Sequence, residues 1–260
     1  MKFACVGDNC IDYYQNTDTV FCGGNPVNVA VYVVRSGDSA SYIGAVGNDR
    51  YGQHMLDTLT ARGVDVSHVK VLPGETALST IELIEGERVF RGYREGVMAD
   101  FKLMDEDMNF IAAHDIMVSG RWGNIHCQLP TLRAKGVPIA FDFATKLGDE
   151  VFEAAVDQVD YAFYSSENDS PKVRDDLQSI CGRGAKLAVC TLGEHGSLAF
   201  DGVRYTQFGI VPCQVKDTMG AGDSYIAGFL RGILNHLPLE QCMRMGAESS
   251  SMTLQYYGAW

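Results

Sequence analysis

Four short apolar runs, at 115–118, 139–143, 161–164 and 187–190, recur between helical segments. That alternation constrains the chain more than any other feature. Strand followed by helix, repeated, predicts an α/β protein whose parallel sheet is covered on both faces. Earlier in the chain, residues 2–6 and 41–46 read as strands, and 26–35 and 50–62 as helices. The first helix carries Pro26 in its opening turn and the two are followed by Gly37 and Gly63. Alternation through 77–83 and 88–93, with Glu85-Gly86-Glu87 between, predicts a β-hairpin. No repeat, low-complexity tract or linker divides residues 1–260, so one domain is expected.

Ligands of such sheets gather at the carboxyl ends of the strands. Asp142 follows one apolar run, and Thr191-Leu192-Gly193 follows another. The most pointed local sequence is Asp217-Thr218-Met219-Gly220-Ala221-Gly222-Asp223-Ser224. Ile226, Phe229, Leu230, Ile233 and Leu234 repeat behind it at helical spacing, which places a helix start near Gly222. The amides of Gly220, Ala221 and Gly222 then face outward at the positive end of a helix dipole, where an anion is favoured. Asp223, one position on, can take a proton from an attacking hydroxyl. An anion cradle beside a base is minimal equipment for phosphoryl transfer.

This stretch resembles the second signature of the ribokinase (PfkB) family of carbohydrate kinases. Gly23-Gly24-Asn25-Pro26-Val27-Asn28-Val29-Ala30 resembles its first. The resemblance implies a three-layer α/β/α sandwich with a mostly parallel sheet, and a small β-sheet lid from about 10–22 and 76–99. It further implies a sugar site with Asp12, Gly23, Gly24 and Asn28. Thr191, Gly193 and Gly196, in a T-L-G-x-x-G turn, together with Gly222 and Ala247, are the implied nucleotide contacts, with Gly258 in the same adenine region. Asp217 and the carbonyl of Met219 match positions that hold a monovalent cation, K+, in many relatives.

One departure stands out. Where relatives carry an N-x-x-E motif that organises Mg2+, this chain reads Ser165-Ser166-Glu167-Asn168-Asp169, leaving Glu167 or Asp169 to substitute. Mg2+ itself is still expected, to offset the triphosphate charge.

Gly7-Asp8-Asn9-Cys10, the segment Glu95-Gly96-Val97-Met98-Ala99-Asp100-Phe101 and Gly258-Ala259-Trp260 resemble the fructoselysine-phosphorylating branch of the family. That branch implies transfer of the ATP γ-phosphoryl to the 6-hydroxyl of a fructosamine. Glu95 and Asp100, at the lid, are candidates to meet the substrate ammonium. A kinase for plain fructose, ribose or another conjugate such as fructose-asparagine is the alternative, and a catalytically silent sugar- or nucleotide-binding protein a third reading. A dimer formed through the lid is implied by relatives.

Composition narrows the partners. Thirty-three acidic against 21 basic residues give a formal charge of −12, which disfavours a nucleic-acid surface. No G-x-x-x-x-G-K-[ST] loop occurs, so a Walker-type ATPase is excluded. The six histidines show no metal-ligand spacing, and Trp122 is placed where it could stack on a sugar. Eight scattered cysteines, without a C-x-x-C pair or a long apolar segment, point to the reducing cytoplasm.

Overall fold

A computed structural model describes residues 1–84 and 87–260. The chain opens with β1 (Lys2–Val6), a hairpin of β2 (Cys10–Tyr14) and β3 (Thr19–Gly23), and α1 (Asn25–Arg35). Next come β4 (Ser39–Gly47), α2 (Arg50–Ala61), β5 (Asp65–Leu72) and a second hairpin of β6 (Leu78–Ile84) and β7 (Glu87–Arg94). Helix and strand then alternate through α3 (Asp105–Ala112), β8 (Ile116–Gly120), α4 (Leu129–Ala134), β9 (Ile139–Asp142) and α5 (Glu150–Ala155). The series continues with β10 (Tyr161–Ser165), α6 (Pro171–Gly182) and β11 (Leu187–Thr191). An edge hairpin, β12 (Ser197–Phe200) and β13 (Tyr205–Phe208), precedes α7 (Ala221–Leu234) and α8 (Leu239–Thr253).

The large sheet runs β13-β12-β11-β10-β9-β8-β1-β4-β5. It is parallel except at the β12 and β13 edge. Side chains alternate across it. One face packs Ala4, Val6, Met117 and Phe141 against α3 to α6, through Met108, Leu132, Phe152 and Leu177. The other packs Phe3, Cys5, Val118 and Phe163 against α1, α2, α7 and α8, through Val29, Met55, Phe229 and Met243. The result is a three-layer α/β/α sandwich. Removing one such fully buried ring, Phe229→Ala, costs about 3–5 kcal/mol by transfer and cavity terms.

The smaller sheet, β3-β2-β6-β7, begins where β1 ends and returns the chain to α1. It is the lid sheet expected from 10–22 and 76–99. The hairpin register is confirmed from Leu78↔Arg94 to Ile84↔Glu87, while Glu85 and Gly86, two of the three expected turn residues, lie outside the described residues.

Some boundaries shift for identifiable reasons. Asp115 precedes β8, and its carboxylate accepts the Lys2 N–H at 2.7 Å. The helix of 50–62 ends at Ala61 because Arg62 serves as its cap, and it starts because Asp49 accepts the Gly52 N–H at 2.8 Å.

Candidate active site

Chain direction fixes the site. From β1 the sheet grows one way through β4 and β5, and the other way from β8 to β13, so the order reverses between β1 and β8. A crevice opens at the carboxyl ends of the strands at such a point. Asp8 lies just past β1, Arg121 just past β8, and Asp142 is the last residue of β9.

α7 aims its N-terminus at the same place. Gly220 is its N-cap with φ 72, and a Cβ there would lie 2.5 Å from the Tyr32 hydroxyl. Only glycine fits that turn. Gly220 N and Gly222 N make no backbone hydrogen bond among the described residues, whereas Ala221 N leans on the Thr218 carbonyl at 3.3 Å. Asp217 braces the loop. One carboxylate oxygen accepts the Met219 N–H and the other the Gly258 N–H, each at 2.9 Å.

Asp223, in the first turn of α7, receives two amide donors. Asn25 Nδ2 approaches one oxygen and Asn28 Nδ2 the other, both at 2.7 Å. Gly24, with φ 110, turns β3 into α1, and α1 carries both asparagines. A Cβ on Gly24 would come within 2.7 Å of Asn9 Cα, so the backbones can meet here only through glycine. Trp260 donates its indole N–H to Asn28 Oδ1 at 2.7 Å, which fixes the Asn28 amide with its NH2 toward Asp223. Asn25 Nδ2 also bonds Asp142 Oδ2 at 3.0 Å, and the Asn25 backbone N–H bonds Asp8 Oδ2 at 3.1 Å. Three carboxylates are thus gathered around one asparagine.

Their electrostatics follow from burial. Desolvation pushes Asp223 up to about 6, against the lowering effect of the Asn28 and Asn25 donors. Asp142 rises to about 7, from burial first and then the Asp223 charge. Asp8 rises to about 7, again from burial, with Asp223 adding to it against the Asn25 bond. A carboxylate poised near neutrality suits a general base.

The other expected residues arrange themselves around this centre. Asp12, on β2, faces Gly23 of the paired β3, where a Cβ would lie 3.0 Å from Asp12 Oδ2. Thr191 ends β11 and exchanges a 2.7 Å hydroxyl contact with Ser165 at the end of β10. Gly193 and Gly196 form the following turn, with φ of 55 and 86. Tyr225, two residues past Asp223, donates to Ser197 Oγ at 2.9 Å and ties that turn to α7. Ala247 is buried on α8, where Ser250 Oγ caps the Ala221 carbonyl at 2.7 Å.

Glu95 and Asp100 are exposed and lie outside the carboxylate cluster. Glu95 makes itself felt at Tyr93 of β7, whose phenol is held up by partial burial and then by Cys10, Asp8 and Glu95. Trp122 is half exposed but sits between the cations of Arg121 and Lys146. Of the two candidate metal carboxylates, Asp169 is bound by Arg174, whereas Glu167 stands exposed in the loop after β10. Among the described residues no three acidic, histidine or cysteine groups converge to hold a metal.

Residues 2–260 match the pattern of the pfkB family carbohydrate kinases. The chain belongs to the pfkB family. It is 42% identical over 257 residues to fructoselysine 6-kinase of Escherichia coli (strain K12), covering 99% of this chain and 98% of that one. It is 36% identical over 265 residues to fructosamine kinase FrlD of Bacillus subtilis (strain 168), covering 100% and 93%. Among solved structures, the ribokinase of Arabidopsis thaliana, complexed with ribose and ATP, superposes with a TM-score of 0.87 at 21% identity. That match covers 99% of this chain and 93% of the ribokinase, and it shows the shared ribokinase-like fold. Asn25, Asp8 and Asp142 are cluster residues to which sequence reasoning assigned no role, although Asp142 was marked at a strand's carboxyl end and Asp8 and Asn25 lie within quoted motifs.

Proposed function

We propose that this pfkB-family protein transfers the γ-phosphoryl group of ATP to the 6-hydroxyl of a fructosamine, with fructoselysine as the type substrate. The observation that carries this reading is Asp223 held by two asparagine donors immediately behind the Gly220–Gly222 turn. Similarity to fructoselysine and fructosamine kinases along the whole chain supports the substrate class.

In this mechanism the sugar lies under the lid sheet, its hydroxyls bonded by Asp12, Asn28 and the backbone at Gly23 and Gly24. Asp223 accepts the proton of the 6-hydroxyl as that oxygen attacks the γ-phosphorus. The new O–P bond forms in line with the bond that breaks, and ADP leaves with the bridging oxygen's electrons. The outward amides of Gly220 and Gly222, joined by Ala221 once it releases Thr218, stabilise charge on the moving phosphoryl group. Asn25 and Asn28 keep Asp223 oriented and ionised. The nucleotide lies along Thr191, Gly193, Gly196 and α8 at Ala247. Mg2+ would offset the triphosphate charge, and Glu167 would be the carboxylate available to it. A monovalent cation, if used, shares the Met219 carbonyl and Asp217.

The test is ATP-dependent ADP release with fructoselysine, fructose-asparagine, fructose and ribose, followed by NMR of the product. Fructoselysine turning over with the highest kcat/KM, and phosphate on C6, is expected. Ribose or unmodified fructose as the preferred acceptor would overturn the substrate assignment, and silence with every sugar the kinase assignment.

A further inference from the structure

Asp8 and Asp142 are more acidic equipment than a hydroxyl acceptor site needs. Asp223 suffices as base, and Asp12 and Asn28 are placed for sugar hydroxyls. Yet two further carboxylates share Asn25 with Asp223. Asp8 is 7% exposed, and its Oδ1 has no hydrogen-bond partner among the described residues. Asn25 Oδ1 is likewise buried without a donor among them. The Asn25 amide cannot be turned round to relieve this, since its NH2 bridges two carboxylates that would repel an oxygen. Two orphaned acceptors in one buried acidic cluster call for a ligand that brings both positive charge and N–H donors.

Arg121 is the cation that acts on Asp142. Its terminal nitrogens go to Asp149 and the Lys146 carbonyl, and its buried Nε–H finds no partner among the described residues, so its guanidinium bonds neither Asp8 nor Asp142. Among the described residues no group of three acidic, histidine or cysteine side chains has the geometry to hold a metal ion, these carboxylates included. Buried carboxylates without a bonded counter-ion are pushed up, both to about 7. An arriving cation would restore their charge.

We infer that Asp8 and Asp142, arranged around Asn25, form the subsite that binds the substrate's ammonium and selects a fructosamine over a neutral sugar. This rests on the fructosamine reading above and goes beyond it by assigning the specificity. A secondary ammonium on C1 keeps its charge at neutral pH and offers two N–H donors. Asp142 and Asp223 share the Asn25 Nδ2 and so lie close together. In the furanose form, where the 6-hydroxyl is free, C1 and C6 branch from the two carbons beside the ring oxygen, so one molecule can reach both carboxylates. Asp142 is partly exposed, whereas Asp8 is buried. Tyr93, on β7, lies within the influence of Asp8 and presents an aromatic ring from the lid side.

The experiment compares 1-amino-1-deoxyfructose, which carries the ammonium and nothing else of an amino acid, with fructose. Both are assayed with the wild type and with Asp8→Asn, Asp142→Asn and Glu95→Gln. Taking kcat/KM as a ratio of the two sugars cancels any general effect on Asp223. Losing a charge-assisted bond to the ammonium should lower that ratio roughly 10–100-fold in Asp8→Asn and Asp142→Asn, mainly through KM. Calorimetric binding of each sugar without ATP reads the same ratio if turnover is lost, and circular dichroism checks folding. A wild type that prefers the amine, with the ratio unmoved in both aspartate variants or moved only by Glu95→Gln, overturns this assignment alone. A wild type without preference for the amine overturns the fructosamine reading, and this assignment with it.

Discussion

Replacing Asn28 by alanine separates two jobs that one side chain performs. Its Nδ2 holds Asp223 at 2.7 Å, and in the proposed mechanism the same amide contacts the sugar. Losing a sugar contact lowers kcat/KM by the same factor at every pH. Losing the bond to Asp223 instead moves the acidic limb of the profile, because a donor to the ionised form keeps a carboxyl acidic. Asp223 stands at about 6, with Asn28 ahead of Asn25 among the influences that hold it down. A bond of this kind is worth about 1.5 kcal/mol, or about one pK unit, so the limb should move toward 7. At pH 6 the ionised fraction then falls from about one half to about one tenth, roughly fivefold, while at pH 9 it is unchanged. The assay is kcat/KM for fructoselysine from pH 5 to 9, which reports the free enzyme. A parallel drop with an unmoved midpoint would refute the claim that Asn28 tunes Asp223.

Other perturbations follow from the same geometry. Asp8 holds its proton in the folded state up to about 7 but releases it near 3.8 when unfolded, so its contribution to stability is lost as pH rises through that window. Asp8→Asn should therefore stabilise the ligand-free protein at pH 8 by about 2–4 kcal/mol in urea melts, and the gain should vanish by pH 4; equal stability at pH 8 would contradict the uncompensated carboxylate. Gly220→Ala forces a left-handed residue and a Cβ 2.5 Å from the Tyr32 hydroxyl, so it should cost about 1–3 kcal/mol and reduce kcat at least as severely as it affects KM. Gly196→Ala puts a Cβ 2.2 Å from the Phe208 carbonyl, and should raise the KM for ATP more than that for the sugar; the reverse order would remove Gly196 from the nucleotide side.

How far the sequence disclosed this molecule depended on whether a feature is encoded locally. β1, β8 to β11 and the helices between them follow from apolar runs and caps, since each pattern lies within a few residues. β5 was not anticipated. Its edge position mixes Asp65, Ser67, His68 and Lys70 with half-buried valines, and leaves no clean alternation. β12 and β13 were missed because four-residue strands behind a glycine turn read as loop. The Gly220–Asp223 turn could be read directly, because anion loop and base are adjacent in sequence. The Asn25 bridge could not, because nothing at 25 signals bonds to side chains 117 residues away at 142 and 198 away at 223. Topology alone brings these together, at the point where the strand order reverses. For Asp217, the resemblance implied a cation site, and the paired bonds to Met219 and Gly258, invisible in the sequence, add a brace of the loop.

Single-turnover transfer from ATP to fructoselysine by Asp223→Asn, read beside calorimetric sugar binding, tests the account at its centre. Phosphoryl transfer slowed by roughly 10²–10⁴-fold, with sugar affinity held within a few-fold, is the expected result. Near-normal transfer would show that the acceptor hydroxyl loses its proton to some other group.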